Sequence, residues 1–414
     1  MQNNKPVKFL KNKNFASHPK DDSKLITFDS AKKVFEFHKK IQGFRRSPLI
    51  GLNELSRLLG VSGVWIKDES QRLNLNSFKI LGSSYAIYKH IIEVLKVEDR
   101  ELSLAEVASI ENHKKLKDFV FATATDGNHG LGVAWTAGKL GLKSMVYVHK
   151  NTTRSRIKTI QQYGATVKTI NGTYDDAVEQ VIVDARKNNW QIISDKAWEV
   201  YEKIPKWIMQ GYSTMFIEVQ EQLAAHGIIK PTHIFVQAGV GSLAASIVNY
   251  YKNIFYNDSP ITIIVEPDRA NCIFQSAKRN KKKPVNVKIT ENSIMAGLEC
   301  GRPNPIAWDV LRIQADYFIS CPDYVAAKGM RVYAMPLQND PIIVSGESGA
   351  VTLGTLMFIM TQNELEGLRN KLKLDTDSQV LLINSEGNTD PIHFQQVVWG
   401  GSEPVPRIYR SIEL

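Results

Sequence analysis

The chain has 414 residues, with 52 Lys plus Arg against 42 Asp plus Glu and a formal net charge of +10. That length calls for more than one minimal core, and the basic residues are scattered rather than gathered into an aromatic-interleaved stripe, which argues against nucleic acid as a partner. Cys272, Cys300 and Cys321 are too few for a disulfide framework, no apolar run is long enough for a membrane span, and no apolar signal core follows Met1, so a cytoplasmic protein is expected.

Residues 1–45 are polar, and only 31–41 carry helical periodicity, so a surface arm with one helix is expected there. Val64-Trp65-Ile66 reads as a strand running into a polar turn. Asn76-Ser77-Phe78-Lys79-Ile80-Leu81-Gly82 then sets a lysine behind an aromatic residue, at the head of an apolar helical run through Tyr88. A helix N-terminus attracts anions. It is also expected to help lower the lysine pKa, so that neutral amine is available for imine formation. Alone, the heptapeptide carries as much weight for an ordinary surface lysine.

From 119 onward strand, glycine turn and helix repeat. Strand 119–122 meets the turn Asp126-Gly127-Asn128-His129-Gly130 and helix 131–140; strand 145–148, helix 152–163, strand 166–170, helix 174–188 and strand 190–193 follow. This alternation predicts a parallel sheet covered on both faces. A polar, aromatic segment comes next, Ser194-Asp195-Lys196-Ala197-Trp198-Glu199, and then one long amphipathic helix over 208–223. Strand 233–237 turns through Ala238-Gly239-Val240-Gly241-Ser242 into helix 243–250. Strand 261–265, an exposed Lys/Asn loop over 278–288, a turn at 345–350 with its helix to 360, strand 380–384 and the loop 385–391 complete the chain. No repeat of fixed period is present.

Turns after parallel strands are where ligands collect. Gly239-Val240-Gly241-Ser242 lets backbone approach a phosphate and adds a hydroxyl donor. It is not a P-loop, since no Gly-Lys-Ser/Thr follows. Nor is it a dinucleotide fingerprint, since Ala244 or Ala245 stands where the third glycine belongs, which disfavours a nicotinamide dehydrogenase. By itself it is an ordinary tight turn. Asp126 and Asn128 are common turn formers too, and would matter as carboxylate and amide if a pyridine ring lay near; His129 is a lesser candidate base. Metal-ligand spacings of the His-Glu-x-x-His or Cys-x-x-Cys kind are absent from the sequence, as is a Gly-x-Ser-x-Gly elbow.

Taken together, 76–82, ATDGNHGLGVAW at 124–135, SDKAWEVYEKIPKWIMQGY at 194–212, 237–242, 347–350 and 385–391 resemble the pyridoxal phosphate enzymes of fold type II, the tryptophan synthase β family. Within it they are most similar to the diaminopropionate ammonia-lyases. Asp126 and the segment from Asp195 set that group apart from threonine and serine dehydratases. The resemblance implies an α/β fold of two open, twisted, mostly parallel sheets flanked by helices, the active site lying between a large domain (1–88 with 212–414) and a small one (89–211).

It further implies that Lys79 holds the cofactor, Phe78 lies near its ring, Asn128 bonds the 3'-oxygen, Gly239, Val240, Gly241 and Ser242 cradle the phosphate, and Ser385 is a neutral partner for the pyridine nitrogen. The implied reaction is α,β-elimination of D- and L-2,3-diaminopropionate to pyruvate and two ammonia. Asp126, in a partly closed site, takes the Cα proton of the D-isomer, and Lys79 or Asp195 that of the L-isomer. Asp195 is equally suited to bind the substrate's distal ammonium. A homodimer is expected from the family. The alternatives are a threonine or serine dehydratase and, in another class, a silent amino-acid sensor. Cys272 and Cys300 are either two buried thiols or a redox-sensitive pair.

Overall fold

Strands that are apolar at successive rather than alternate positions belong inside a parallel sheet with helices on both faces. β8 (His233–Gln237) is of this kind and is buried along its whole length. The computed structural model describes residues 6–15, 25–97, 102–109, 114, 116–198 and 200–410. Around β8 it builds a seven-stranded sheet from β1 (Lys8–Lys11), β2 (Leu49–Gly51), β3 (Gly63–Asp68), β9 (Ile261–Pro267), β10 (Tyr317–Cys321) and β11 (Gln379–Asn384). The order is β1-β10-β9-β8-β11-β3-β2. The interior pairings are parallel, and the two edge strands run antiparallel to their neighbours.

A second sheet, wholly parallel, has the order β6-β5-β4-β7, formed by β4 (Val120–Thr125), β5 (Lys143–His149), β6 (Thr166–Ile170) and β7 (Gln191–Ile192). The Lys79–Leu95 helix packs on both the Asn128–Lys139 and Lys203–Gly211 helices. Its approach is close enough to require glycine. A Cβ on Gly82 would lie 2.6 Å from the Tyr212 ring and 2.9 Å from the Ile208 carbonyl oxygen. Such contacts fix where the head of that helix, and so Lys79, can sit.

Two expectations need correction. The single helix over 208–223 is two, Lys203–Gly211 and Ser213–Ala224. Gly211 is pressed so tightly on Leu81 that a Cβ there would be 2.5 Å from its carbonyl oxygen, and the ladder resumes through a tighter bond from Met215 N–H to Tyr212 O. The polar arm does more than lie on the surface: residues 8–11 pair by backbone with β10 as an edge strand. The large sheet is mostly parallel, as expected, with only its two edge strands antiparallel.

Between β3 and the Ser213–Ala224 helix lies a dry ionic cluster that the sequence pattern did not reveal. The side chains of Lys67, Arg72, Glu69 and Glu218 are fully buried, with Lys67 Nζ 2.7 Å and Arg72 Nη2 2.6 Å from Glu218 Oε2. Among the described residues, no helix is long and apolar enough to cross a membrane.

Candidate active site

The turns that follow β4, β8 and β11 converge on the head of the Lys79–Leu95 helix. One cavity there is lined by Phe78, Lys79, Asp126, Asn128, Asp195, Gly239, Val240, Gly241, Ser242 and Ser385, so every predicted site residue reaches it. Lys79 Nζ lies 2.5 Å from Asp195 Oδ2 and 5.5 Å from the centroid of the Phe78 ring. Phe78 is in turn held against Tyr212, centroids 4.8 Å apart, and its N–H donates to the Ser385 carbonyl.

The expected lowering of the Lys79 pKa is reversed. Burial does act in that direction, but the Asp195 carboxylate, with Tyr212 and Asp126, outweighs it and raises the value above that of an ordinary lysine. Asp195 responds in kind. Its burial favours the neutral acid, yet the Lys79 ammonium holds it down at about 2. The Asp195 loop is pinned from below: Ser194 N–H donates to the Tyr201 hydroxyl, which donates to the Ile192 carbonyl, both at 2.9 Å. Glu199 of this segment lies outside the described residues.

The Ser242 hydroxyl does not point at a ligand as expected. It donates to the Asp195 carbonyl oxygen at 2.7 Å, which also accepts from Asn304 Nδ2 at 2.9 Å. What the 239–242 turn presents instead is backbone. The N–H groups from Gly239 to Ala244 have no backbone acceptor among the described residues, and those of 242–244 form the first turn of the Ser242–Phe255 helix. This is an anion cradle of amides and helix dipole. A Cβ on Gly239 would come within 3.1 Å of Cys300 Sγ and 3.2 Å of the Gly297 carbonyl oxygen.

At the other end, Gln237 Nε2 donates to Ser385 Oγ at 2.7 Å, so the Ser385 proton is left to donate into the cavity. Asn128 Nδ2 donates to Glu386 Oε2 at 2.6 Å. Asp126 is half-buried, in keeping with a partly closed site, and lines both this cavity and a wider one of about 870 Å³ that opens outward. His129 Nε2 lies 2.9 Å from the Ile193 carbonyl and so carries the proton, while buried Nδ1 has no partner. Cys272, Cys300 and Cys321 are free thiols, Cys300 only half-buried.

Reading the sequence missed Gln237, Tyr212 and Glu386 as site residues, although a glutamine closing an apolar strand was a visible signal. The amide cradle, the spare Ser385 proton and the Lys79 amine, all lining one cavity, fit a phosphate, a pyridine nitrogen and an aldehyde. The sequence profile of the pyridoxal-phosphate dependent enzymes matches residues 41–385. The chain belongs to this family.

Diaminopropionate ammonia-lyase of Escherichia coli K12 is 43% identical over 385 residues, which are 93% of this chain and 95% of that one. The crystal structure of the E. coli enzyme in complex with D-serine matches with a TM-score of 0.90 at 42% identity, over 97% of this chain and 98% of that one. The same enzyme in complex with an aminoacrylate-PLP azomethine reaction intermediate gives 0.87 at 41%, over 96% and 98%. The chain is thus similar along nearly its whole length to ammonia-lyases of this family.

Proposed function

We propose that the protein eliminates ammonia from 2,3-diaminopropionate, D and L, releasing pyruvate and a second ammonia. The observation that carries this reading is the pair of carboxylates, Asp126 and Asp195, that line the cavity with Lys79 in a chain so similar to diaminopropionate ammonia-lyases. Pyridoxal phosphate, when bound, supplies the electron sink for the negative charge left at Cα.

Lys79 would hold the cofactor through its amine. The amides of 239–244 would hold the phosphate, Phe78 would pack by the ring, and Asn128 would offer an N–H to the ring oxygen. Ser385, whose Oγ already accepts from Gln237, would be the neutral partner of the pyridine nitrogen and limit its protonation. Asp126, at the mouth of the cavity, takes the Cα proton of the D-isomer. Asp195, anionic and beside Lys79, keeps the distal amine as an ammonium, so that it departs as neutral ammonia. Lys79 or Asp195 takes the proton of the L-isomer. A dehydratase would have no use for a buried anion at the leaving group.

We further read 1–88 with 212–414 as the large domain and 89–211 as the small one. The four-stranded sheet, whose strands all fall within 120–192, supports this. A cytoplasmic homodimer completes the reading. Exposed Met335, Ile392 and Trp399 lie on the Asp323–Ala334 and Pro391–Val398 helices or at their ends, Ile342 is exposed in the loop that follows the first, and together they support an interface with a second copy. The test is a side-by-side assay of both diaminopropionate isomers, serine and threonine. Pyruvate and ammonia from diaminopropionate in a 1:2 ratio are expected; comparable turnover of serine or threonine, or binding without release, refutes the reading.

A further inference from the structure

Glu386 took no part in the reaction above, yet its carboxylate is the most enclosed acid at the cofactor end of the cavity. It is 2% exposed. Oε2 accepts from Asn128 Nδ2 at 2.6 Å and Oε1 from the Ser348 N–H at 3.2 Å. Its backbone is tied as well, through a bridge to Ser77, beside Phe78 and Lys79, and a bond from the Gly346 N–H to its carbonyl. The neighbourhood leaves it little room, since a Cβ on Gly346 would stand 2.9 Å from Oε1.

A carboxylate accepts hydrogen bonds and cannot donate them, so only the nitrogen end of the Asn128 amide can face it. One of the two Nδ2 hydrogens is then spent on Glu386. The other is left to a ligand, and its direction is set. We infer that Glu386 is a positioning residue: it selects the amide orientation in which Asn128 presents a donor to the ring oxygen of the cofactor, and it joins the turn after β4 to the loop after β11. The inference rests on the reading of Asn128 as the partner of that oxygen.

Arg156 is the countercharge that lets an acid stay here. It donates to the Asp126 carbonyl at 3.4 Å and to Thr389 Oγ1 at 3.3 Å, and so spans the same two loops. Burial, with Glu347 and Asp126 nearby, leaves the Glu386 carboxyl above the ordinary carboxylate value, while Arg156 opposes that push. A glutamine at 386 has nearly the same shape but offers both a donor and an acceptor, so the Asn128 amide would be free to turn over.

The test is a double-mutant cycle on cofactor binding, read by titrating cofactor-free protein with pyridoxal phosphate and following visible absorbance and tryptophan fluorescence. Glu386→Gln is expected to weaken binding by about tenfold or more, on the scale of outer-shell substitutions, and to alter the pH profile of the bound chromophore. In an Asn128→Ala background it should change neither. Far-UV dichroism and the unfolding midpoint of the cofactor-free variants check the fold; if glutamine at 386 does not fold, Glu386→Asp, which draws the acceptor back by one methylene, serves in the same cycle.

If Asn128→Ala weakens binding while the Glu386 variant binds as wild type, or if the two losses multiply independently, the role of Glu386 is overturned. An Asn128→Ala protein that binds like wild type overturns the reading of Asn128 and the role of Glu386 with it.

Discussion

Lys79 and Asp195 form a nearly dry ion pair, 2.5 Å between Nζ and Oδ2, with the side chains 19% and 6% exposed. Each partner holds the other in its charged form against burial. The Asp195 carboxyl is depressed from 3.8 to about 2, so its stabilising effect is present above pH 3.8 and lost as pH falls toward 2. Lys79 is raised, so its contribution is present below the ordinary lysine value and lost when pH climbs through the folded one.

In cofactor-free protein, Asp195→Asn leaves a buried ammonium unpaired. We expect a loss of about 3 kcal/mol near neutral pH, shrinking toward zero as pH is lowered through the acid range. Urea unfolding of the two proteins across that range measures it.

The same substitution should change how the protein takes up its cofactor. Without the carboxylate, burial prevails and more of Lys79 is neutral, so capture of pyridoxal phosphate at neutral pH should be faster than in the wild type. Stopped-flow absorbance reads this directly, and a slower capture would contradict the electrostatic account.

Gly239→Ala places a methyl group in the amide cradle, against Cys300 Sγ and the Gly297 carbonyl. Overpacking of about 1–3 kcal/mol predicts a cofactor dissociation constant raised by roughly tenfold or more. Equilibrium titration checks it, and the unfolding midpoint of the cofactor-free protein should fall as well, because the crowded atoms belong to the protein itself.

The cluster of Lys67, Arg72, Glu69 and Glu218 lies away from the site and should matter for stability alone. Burial would raise the Glu218 carboxyl, but Arg72 and Lys67 hold it at about 2. Its contribution is therefore lost as pH falls from 4.5 toward 2. Glu218→Gln should cost about 3–5 kcal/mol at pH 7 in urea unfolding while kcat of the folded fraction stays near that of the wild type.

Patterns of apolar residues and glycine turns made β4, β6, β8 and the 239–242 turn legible, because those elements are built from contiguous chain, whereas the helix expected from 131 already begins at Asn128. The family resemblance brought the chemistry of Lys79, Asp126 and Asp195 within reach. What stayed hidden depends on contacts between distant segments. The break between the two helices falls where Gly211 meets the backbone of Leu81, the edge strand at 8–11 comes from backbone pairing with β10, and the high pKa of Lys79 from an aspartate 116 residues further on. The Ser242 hydroxyl was misread because its acceptor, the Asp195 carbonyl, belongs to a different turn.

Asp126 carries the claim about which substrate is used and how. Turnover of D- and L-2,3-diaminopropionate by wild type and Asp126→Asn, measured separately as pyruvate release, tests it most directly. The account predicts that the D-isomer rate falls by about a hundredfold or more, the scale of a lost general base, while the L-isomer rate falls much less. Full turnover of the D-isomer by the Asp126→Asn protein would contradict it.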